Sequence, residues 1–174
     1  MTRRGRNSLD MLTLDLSTHI GWSCGPVHDA QPQFGHHDLP KTGPDLGLFI
    51  WHYDKWLRRM LAEHSPDVLV FEQPVLNRQK TQLLILRKLY GLASHTEFVC
   101  RGKCAVREAN NQSVKAWWTG NGRADKNDMV AVAVANGFKV QTPDEADALA
   151  VRFFAIERLY PEFAGLVTPG IAFD

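Results

Sequence analysis

A chain of 174 residues, 44% of them hydrophobic, can bury one core, which predicts one domain with at most a small addition. The formal net charge of +1 does not by itself indicate a protein that binds nucleic acid, and no apolar run reaches the length of a membrane helix. MTRRGRNS precedes no apolar signal core and the cysteines are odd in number, so we expect a reducing, intracellular location. We predict a flexible basic arm over 1–10 and a single domain over 11–174.

The first part of the chain predicts three strands and a helix. Alternation of apolar and polar residues predicts a strand over 11–17 and an antiparallel partner over 20–27, with a weaker third strand over 32–40. Apolar residues then recur at helical spacing over 45–64. The three strands are typical of a meander.

The middle of the chain predicts a buried strand, a long helix and a further strand. DVLVFEQP, 67–74, is a nearly continuous apolar run, typical of a strand buried on both faces. The predicted helix over 77–98 has apolar residues on more sides than one core can cover. Either a second contact surface such as a dimer interface buries the excess, or the helix is sandwiched inside one chain. KCAVREA, 103–109, predicts the next strand.

Three helices complete the chain. A short helix is predicted over 111–118, and a glycine loop leads into another over 120–137, with Asp125 as its cap and Gly137 as its stop. The last helix begins with TPDE at Thr142, a capping box with proline at the first helical position. The order β-β-β-α-β-α-β-α-α-α predicts a mixed sheet flanked by helices, an α/β or α+β layer fold.

Cysteine and histidine form no motif in this sequence. Cys100 and Cys104 are four apart, but no nearby Cys or His pair completes a zinc pattern, so we interpret them as buried thiols. His36 and His37 are adjacent, which on a strand directs them to opposite faces, and we interpret them as surface or packing residues.

Four carboxylates lie where an unpaired charge is unfavourable. Asp15 lies within a strand and Glu72 ends the buried strand, both among apolar residues. Asp144 and Asp147 are three apart and share a helix face, whereas Glu145 is assigned to the cap. Acids in a first turn also offset the helix dipole, so capping alone would explain the helix cluster. Two strand acids with a helix pair instead predict a hard cation such as Mg²⁺, two of which can assist phosphodiester hydrolysis.

Basic residues are concentrated in the middle of the chain. From Gln73 to Lys126 there are ten Lys or Arg and only three acids. A solvated helix surface explains part of this pattern, and a phosphate-binding face is the more specific interpretation. The residues expected to contact DNA are Arg78, Lys80, Lys115, Arg123 and Lys126.

These motifs together resemble the RuvC family of Holliday junction resolvases, within the RNase H-like nuclease superfamily. The resemblance covers residues 11 to 160 and is carried, in the family's order and spacing, by LDLSTHIGW, VFEQP, SVKAWWTGNGRADK and DEADALAVRFFA. It implies an RNase H-like α/β fold and a crossover junction endodeoxyribonuclease. Such an enzyme nicks four-way (Holliday) or other branched DNA by metal-dependent hydrolysis, leaving 5′-phosphate ends, during recombination, repair or phage DNA processing.

The resemblance also implies site residues and partners. The four acids that correspond to the family's catalytic ligands of two Mg²⁺ ions, for which Mn²⁺ substitutes, are Asp15, Glu72, Asp144 and Asp147. Lys115 and Lys126 correspond to lysines near the scissile phosphate, where an ammonium group offsets charge that develops in the transition state. Family members are homodimers, so we expect two chains to pair through the helix over 79–98. The resemblance also implies a location in the cytoplasm of a bacterial or phage-infected cell. It implies no small-molecule cofactor.

Two departures from the family pattern concern the DNA-opening apparatus. LST follows Asp15 where the family usually has Pro-Gly, and PVL follows Gln73 where the family commonly has an aromatic wedge. An apolar wedge other than an aromatic one can also unstack bases. These differences suggest a phage or prophage-type member that cuts branched DNA broadly.

Three other functions share parts of this pattern. Another RNase H-like nuclease, acting on RNA, an RNA–DNA hybrid or single-stranded DNA, would use the same acids. A non-catalytic branched-DNA-binding module would be expected to have lost one acid, and all four are present. An actin-like ATPase or sugar kinase shares the LDLSTHIGW type of loop, but it needs two such domains and lacks the terminal Asp-x-x-Asp pair.

Overall fold

The computed structural model describes residues 8–74 and 83–170, in which five strands and five α-helices occur in the predicted order. The strands are β1 (Asp10–Asp15), β2 (His19–Pro26), β3 (Gln33–Asp38), β4 (Val68–Glu72) and β5 (Ala105–Ala109). The helices are α1 (Leu46–His64), α2 (Leu83–Cys100), α3 (Asn111–Thr119), α4 (Lys126–Ala135) and α5 (Pro143–Leu159). A short 3-10 turn follows at Pro161–Phe163.

The strands form one mixed sheet in the order β3-β2-β1-β4-β5. The first three strands pair antiparallel, because short turns connect them, whereas β1–β4 and β4–β5 pair in parallel. The parallel pairs are connected through α1 and α2, as parallel strands require a crossover. The carboxyl ends of β1, β4 and β5 therefore meet at one edge of the sheet.

Strand β4 shows how the sheet separates two cores. Val68 and Val70 pack with residues of α3, α4 and α5 on one face, whereas Leu69 and Phe71 pack with α1 and α2 on the other. All four are at most 3% exposed. The prediction of a strand buried on both faces is confirmed, and the molecule has three layers.

The predicted first strand is two residues too long. It was expected to continue to residue 17, but β1 ends at Asp15. The reason is a tight turn, in which the Ser17 hydroxyl accepts from the His19 amide at 3.0 Å and donates to the His19 carbonyl at 2.8 Å. Asp15 therefore stands at the carboxyl end of its strand instead of within it.

The described part of the chain leaves much of the apolar surface of helix α2 uncovered. Leu92 is fully buried, but Leu83 is 71% and Phe98 70% exposed, and Ile85 and Tyr90 are exposed as well. The interpretation of a helix sandwiched inside one chain is therefore wrong. The predicted start at residues 77–82 falls outside the described part of the chain.

The predicted helix caps are confirmed. Asp125 accepts hydrogen bonds from the amides of Asn127 and Asp128, and α4 stops just before Gly137, whose φ is +86°. The capping box at Thr142 is also present.

The thiols of Cys24, Cys100 and Cys104 are free, with Cys104 only half-buried. Among the described residues, no helix combines the length and apolarity that crossing a membrane requires.

Candidate active site

Two of the four predicted acids meet because their strands are parallel neighbours. Leu14 of β1 pairs with Phe71 of β4, so the following residues, Asp15 and Glu72, stand together at the carboxyl edge of the sheet. They are close enough for the charge of Glu72 to raise the pKa of Asp15. Topological edges of this kind are the usual place for ligand sites in sheets with parallel strands.

The other two acids come from the beginning of α5, which packs across β1 and β2. Pro143 at the first helical position and the capping box fix where the helix starts, and Asp144 and Asp147 then face the sheet edge. Asp15, Asp144 and Asp147 each offer a carboxylate oxygen, and these three oxygens lie within 4.8 Å of one another. The structure thus brings all four predicted acids into one group.

Gly21 makes the close approach of α5 to the sheet possible. It pairs with Asp15 across β1 and β2, and its Cα lies directly under the backbone of Asp144. A Cβ added at Gly21 would lie 1.8 Å from the Asp144 carbonyl oxygen, which no side chain can tolerate. Only glycine at this position allows the helix acids to reach Asp15.

Asn111 is a site residue that the sequence analysis missed. It is the first residue of α3, and its side-chain amide donates a hydrogen bond to Glu72 Oε1. The pairing of Glu72 with Ala109 on β5 places the start of α3 at the same edge. Because Asn111 belongs to no motif, the signal that could have found it is its position two residues after a parallel neighbouring strand.

The environment raises the proton affinity of these acids. Burial, followed by the charge of Asp147, raises the pKa of Glu72 to about 7, while Lys115 opposes this shift. Burial likewise raises the pKa of Asp147 to about 6, against the opposing charges of Lys115 and Lys126. The pKa of Asp15 is raised well above its usual range by burial and by Glu72, Asp147 and Asp144. Carboxylates held this close to one another cannot all remain charged without a compensating cation.

The donor set fits a divalent cation. Asp147 Oδ1 is buried, and no donor within 8–74 and 83–170 reaches it. Buried acceptors are normally hydrogen-bonded, so an oxygen left without a donor among three other carboxylates indicates a metal ligand. All the groups on offer are carboxylate oxygens, the ligand type of Mg²⁺ and Mn²⁺.

The predicted lysines lie around this group. Lys126, the first residue of α4, places Nζ 3.3 Å from Asp144 Oδ1, with its side chain 66% exposed. Lys115 donates from Nζ to the Ala124 carbonyl at 2.9 Å, and its charge acts on Glu72 and Asp147. Lys126 therefore pairs with one of the acids, and Lys115 acts on two of them through its charge.

Of the other three residues predicted to contact DNA, Arg123 alone lies in the described part of the chain. Arg123 is exposed in the turn before α4, where its backbone amide donates to Asn121 Oδ1 at 2.9 Å. Arg78 and Lys80, like the Val75–Leu76 part of the predicted wedge, fall outside the described residues.

Comparison with known proteins finds similarity at the level of the sequence. No protein-family model matches the chain. A crossover junction endodeoxyribonuclease RuvC from Salinispora arenicola is 31% identical over an alignment of 121 residues, and the match covers 66% of this chain and 67% of that protein.

Solved structures share the fold at low identity. Thermus thermophilus RuvC matches with a TM-score of 0.63 at 19% identity, covering 92% of this chain and 99% of that chain. RuvC of the same organism in complex with a Holliday junction substrate matches with a TM-score of 0.67 at 16% identity and the same coverages. The yeast mitochondrial Holliday junction resolvase Ydc2 gives 0.59 at 12% identity, covering 90% of this chain and 83% of that chain. These structures establish the mixed sheet with flanking helices as a shared fold.

Proposed function

The chain belongs to the RuvC family of crossover junction endodeoxyribonucleases, and we propose that it nicks four-way (Holliday) or other branched DNA by metal-dependent phosphodiester hydrolysis. The observation that carries this proposal is the group of four acids at the carboxyl edge of the sheet, completed by the first turns of α5. The reaction serves recombination, repair or phage DNA processing and takes place in the cytoplasm of a bacterial or phage-infected cell.

The acids are proposed to hold two Mg²⁺ ions per active site, with Mn²⁺ as a substitute. The proposed ligands are Asp15, Glu72, Asp144 and Asp147. Ions bound there supply positive charge that favours ionisation of the attacking water and stabilises the attacking and leaving oxygens of the phosphodiester. The elevated pKa values of Glu72 and Asp147 support this assignment, because a bound cation would offset the burial and the neighbouring negative charge that raise them.

The chain's own residues position these acids and bind the phosphate. Asn111 holds one oxygen of Glu72, so the carboxylate keeps one orientation at the edge. Lys115 holds the loop before α4 through a hydrogen bond to the Ala124 carbonyl, and α4 begins two residues later with Lys126 beside Asp144. We propose that Lys126 binds the scissile phosphate and offsets charge in the transition state, since its exposed amine can reach a backbone outside the protein. Phosphate contacts of this kind position the DNA, and branched shape provides the selectivity.

The exposed face of α2 is proposed as a homodimer interface. Its large apolar side chains, among them Leu83, Ile85 and Phe98, lie outside the two cores of the monomer. Exposed apolar patches of this kind mark association surfaces, and a two-fold dimer would use the same face twice. Two active sites in one dimer can nick two opposed strands of a junction.

The test is cleavage of a labelled synthetic four-way junction beside a linear duplex of the same sequence, each with Mg²⁺ and with EDTA. We expect paired nicks in the junction alone, only with Mg²⁺, and leaving 5′-phosphate ends. Three-way junctions and flaps in the same assay measure how broadly branched DNA is cut, and an RNA–DNA hybrid tests the competing RNA-nuclease hypothesis.

Asp147→Asn provides the decisive variant for the same assay. Losing one ligand removes several kcal/mol of charge stabilisation, so nicking should fall on the order of 10³-fold. Glu162→Gln, an exposed acid in the 3-10 turn, is the matched control and should cut normally. Equal nicking by Asp147→Asn and by the control would rule out the proposed site.

A further inference from the structure

A row of residues connects the acid site to the edge of the sheet. Asp15 on β1 pairs with Gly21 on β2, and Gly21 pairs in turn with His36 on β3. The first turn of α5 lies over this row, with the Asp144 backbone above Gly21 and the Glu145 side chain at His36. His36 is therefore two strands from Asp15 but in contact with the helix that carries Asp144 and Asp147.

The contact between His36 and Glu145 is a direct hydrogen bond. His36 Nδ1 lies 2.8 Å from Glu145 Oε1, and because the carboxylate can only accept, the imidazole donates. The Glu145 side chain is 5% exposed and that of His36 is 34% exposed. A nearly buried carboxylate requires partners for both of its oxygens, or it costs several kcal/mol.

The capping box accounts for only one of those oxygens. Glu145 Oε2 accepts from the amides of Gln141 at 2.6 Å and Thr142 at 3.4 Å, which is the reciprocal half of the box. Glu145 Oε1 takes no part in the cap and is held by His36 alone among the hydrogen-bond donors of the described chain. The bond therefore ties the start of the helix to a strand, which the cap cannot do.

The adjacent histidine, His37, packs on the opposite side of the sheet from Glu145. His37 lies on the other face of β3 and stacks on Trp56 of α1, with ring centroids 5.2 Å apart. It supports the opposite layer of the molecule. Of the two adjacent histidines, only His36 faces the helix with the acids.

We propose that His36 is a positioning residue for the metal site, fixing through Glu145 the direction in which Asp144 and Asp147 present their carboxylates to Asp15. This inference rests on the proposed metal-binding role of that acid group. Partners of this kind, which orient ligands without touching the metal, commonly control affinity. Among the described residues, His36 makes its hydrogen bond to Glu145 and none to Asp144 or Asp147, so its effect should appear first in metal binding and only through it in nicking.

The test is calorimetric titration of the full chain with Mn²⁺, accompanied by melting temperatures in EDTA. His36→Leu should weaken Mn²⁺ binding by about 10-fold, the low end for loss of an orienting partner. His36→Asn should restore most of the affinity, because its amide can donate from near the Nδ1 position. The Mn²⁺ concentration for half-maximal junction nicking should rise in His36→Leu by the same factor as the dissociation constant.

His95→Leu is the matched control. His95 Nε2 lies 2.7 Å from Asp54 Oδ1, in a histidine–carboxylate contact between α2 and α1 whose side chains are 21% and 24% exposed. The His95→Leu variant should have a lower melting temperature in EDTA and an unchanged affinity for Mn²⁺.

The outcomes separate this inference from the proposed function. A lower melting temperature for His36→Leu with wild-type Mn²⁺ affinity would overturn the positioning role and leave the nuclease site standing. Failure of His36→Asn to recover affinity above His36→Leu would also overturn it. Absence of Mn²⁺ binding by the wild-type chain would overturn both proposals together.

Discussion

At the scale of single residues, burial and neighbouring negative charge keep the acids of the site from ionising readily in the metal-free protein. Glu72, Asp147 and Asp15 bind protons more tightly in the folded chain than in an unfolded one, because burial and neighbouring charge disfavour their ionised forms. Groups with a raised folded-state pKa stabilise the fold below their unfolded pKa, and this contribution is lost as pH rises through the folded value. The relevant window therefore extends from about pH 4 to about pH 7.

The first prediction follows from this loss of stability as the pH rises. In EDTA, the melting temperature should fall between pH 5 and pH 8, since Glu72 and Asp147 titrate at about 7 and about 6. Glu72→Gln should flatten this decline, because the amide cannot ionise. Saturating Mn²⁺ should raise the melting temperature more at pH 8 than at pH 6. Differential scanning calorimetry over this pH range measures the melting temperatures.

The Glu72→Gln variant also separates the titration of the acids from that of His37, whose effect on stability changes with pH in the opposite direction. Burial lowers the pKa of His37, so its contribution to stability grows as pH rises towards its usual value. Subtracting the Glu72→Gln curve from the wild-type curve removes this common contribution. A difference curve that does not depend on pH would contradict the assignment of a raised pKa to Glu72.

Asn111 gives the second prediction at this scale. Asn111→Ala removes the donor to Glu72 Oε1, so the carboxylate loses its fixed orientation. Loss of such an orienting hydrogen bond should reduce nicking at a fixed low Mg²⁺ concentration on the order of 10-fold. Gln112→Ala, the exposed next residue of α3, is the control and should leave the rate unchanged. Equal rates for the two variants would show that Glu72 needs no such support.

At the scale of elements, α5 combines packing with the proposed chemistry. Its central face is buried in one of the two cores, with Leu149, Ala150 and Phe153 nearly inaccessible. Its first turns carry Asp144 and Asp147 over β2. A rigid, well-packed helix holds ligands more accurately than a loop would, so the site depends on how closely α5 approaches the sheet.

The third prediction tests that approach. Gly21→Ala would place a Cβ 1.8 Å from the Asp144 carbonyl oxygen, so α5 must move away from β2. Because the displaced backbone is part of a helix and cannot yield like a flexible side chain, we expect both a lower melting temperature and weaker Mn²⁺ binding by calorimetry.

Gly47→Ala provides the matched control. Gly47 lies in the first turn of α1, where an added Cβ would come no closer than 3.5 Å to another atom, the Asp45 Oδ1. Alanine in a helix is favoured by roughly 0.5–1 kcal/mol, so this variant should melt no lower than wild type and bind Mn²⁺ normally. Normal Mn²⁺ affinity in Gly21→Ala would show that the site does not require the close contact.

At the scale of the whole molecule, the fourth prediction concerns the proposed dimer. Ile85→Asp places a charge on the exposed face of α2, where burial against a partner would be costly. The variant should elute as a monomer in size-exclusion chromatography with light scattering, at concentrations where the wild type is a dimer. It should still bind Mn²⁺, because one chain supplies all four acids.

A similarly exposed residue on another helix serves as the control. Leu48 of α1 is 43% exposed and Ile85 of α2 is 46% exposed, so Leu48→Asp adds the same charge at comparable exposure. It should leave the dimer intact. A wild-type chain that is monomeric throughout, or dissociation by both variants alike, would contradict an interface specific to α2.

Local patterns in the sequence were sufficient for most elements of this fold. The continuous apolar run of β4 and the capping signals of α4 and α5 depend on neighbouring residues alone, and all of them are confirmed. The end of β1 was misplaced, because its turn depends on hydrogen bonds of the Ser17 hydroxyl that periodicity does not record. The uncovered face of α2 was anticipated as a surplus, but its exposure became evident only once the cores were assembled.

The sequence by itself determined which acids are available and which strands and helices carry them, because hydrophobic periodicity and capping are local. Only the tertiary structure decided which residues serve those acids, since contacts such as Asn111 with Glu72 and His36 with Glu145 join segments far apart in the chain. Gly21 illustrates the physical reason. Its importance lies in the absence of a side chain beneath Asp144, and a steric requirement of that kind exists only after the helix has packed on the sheet.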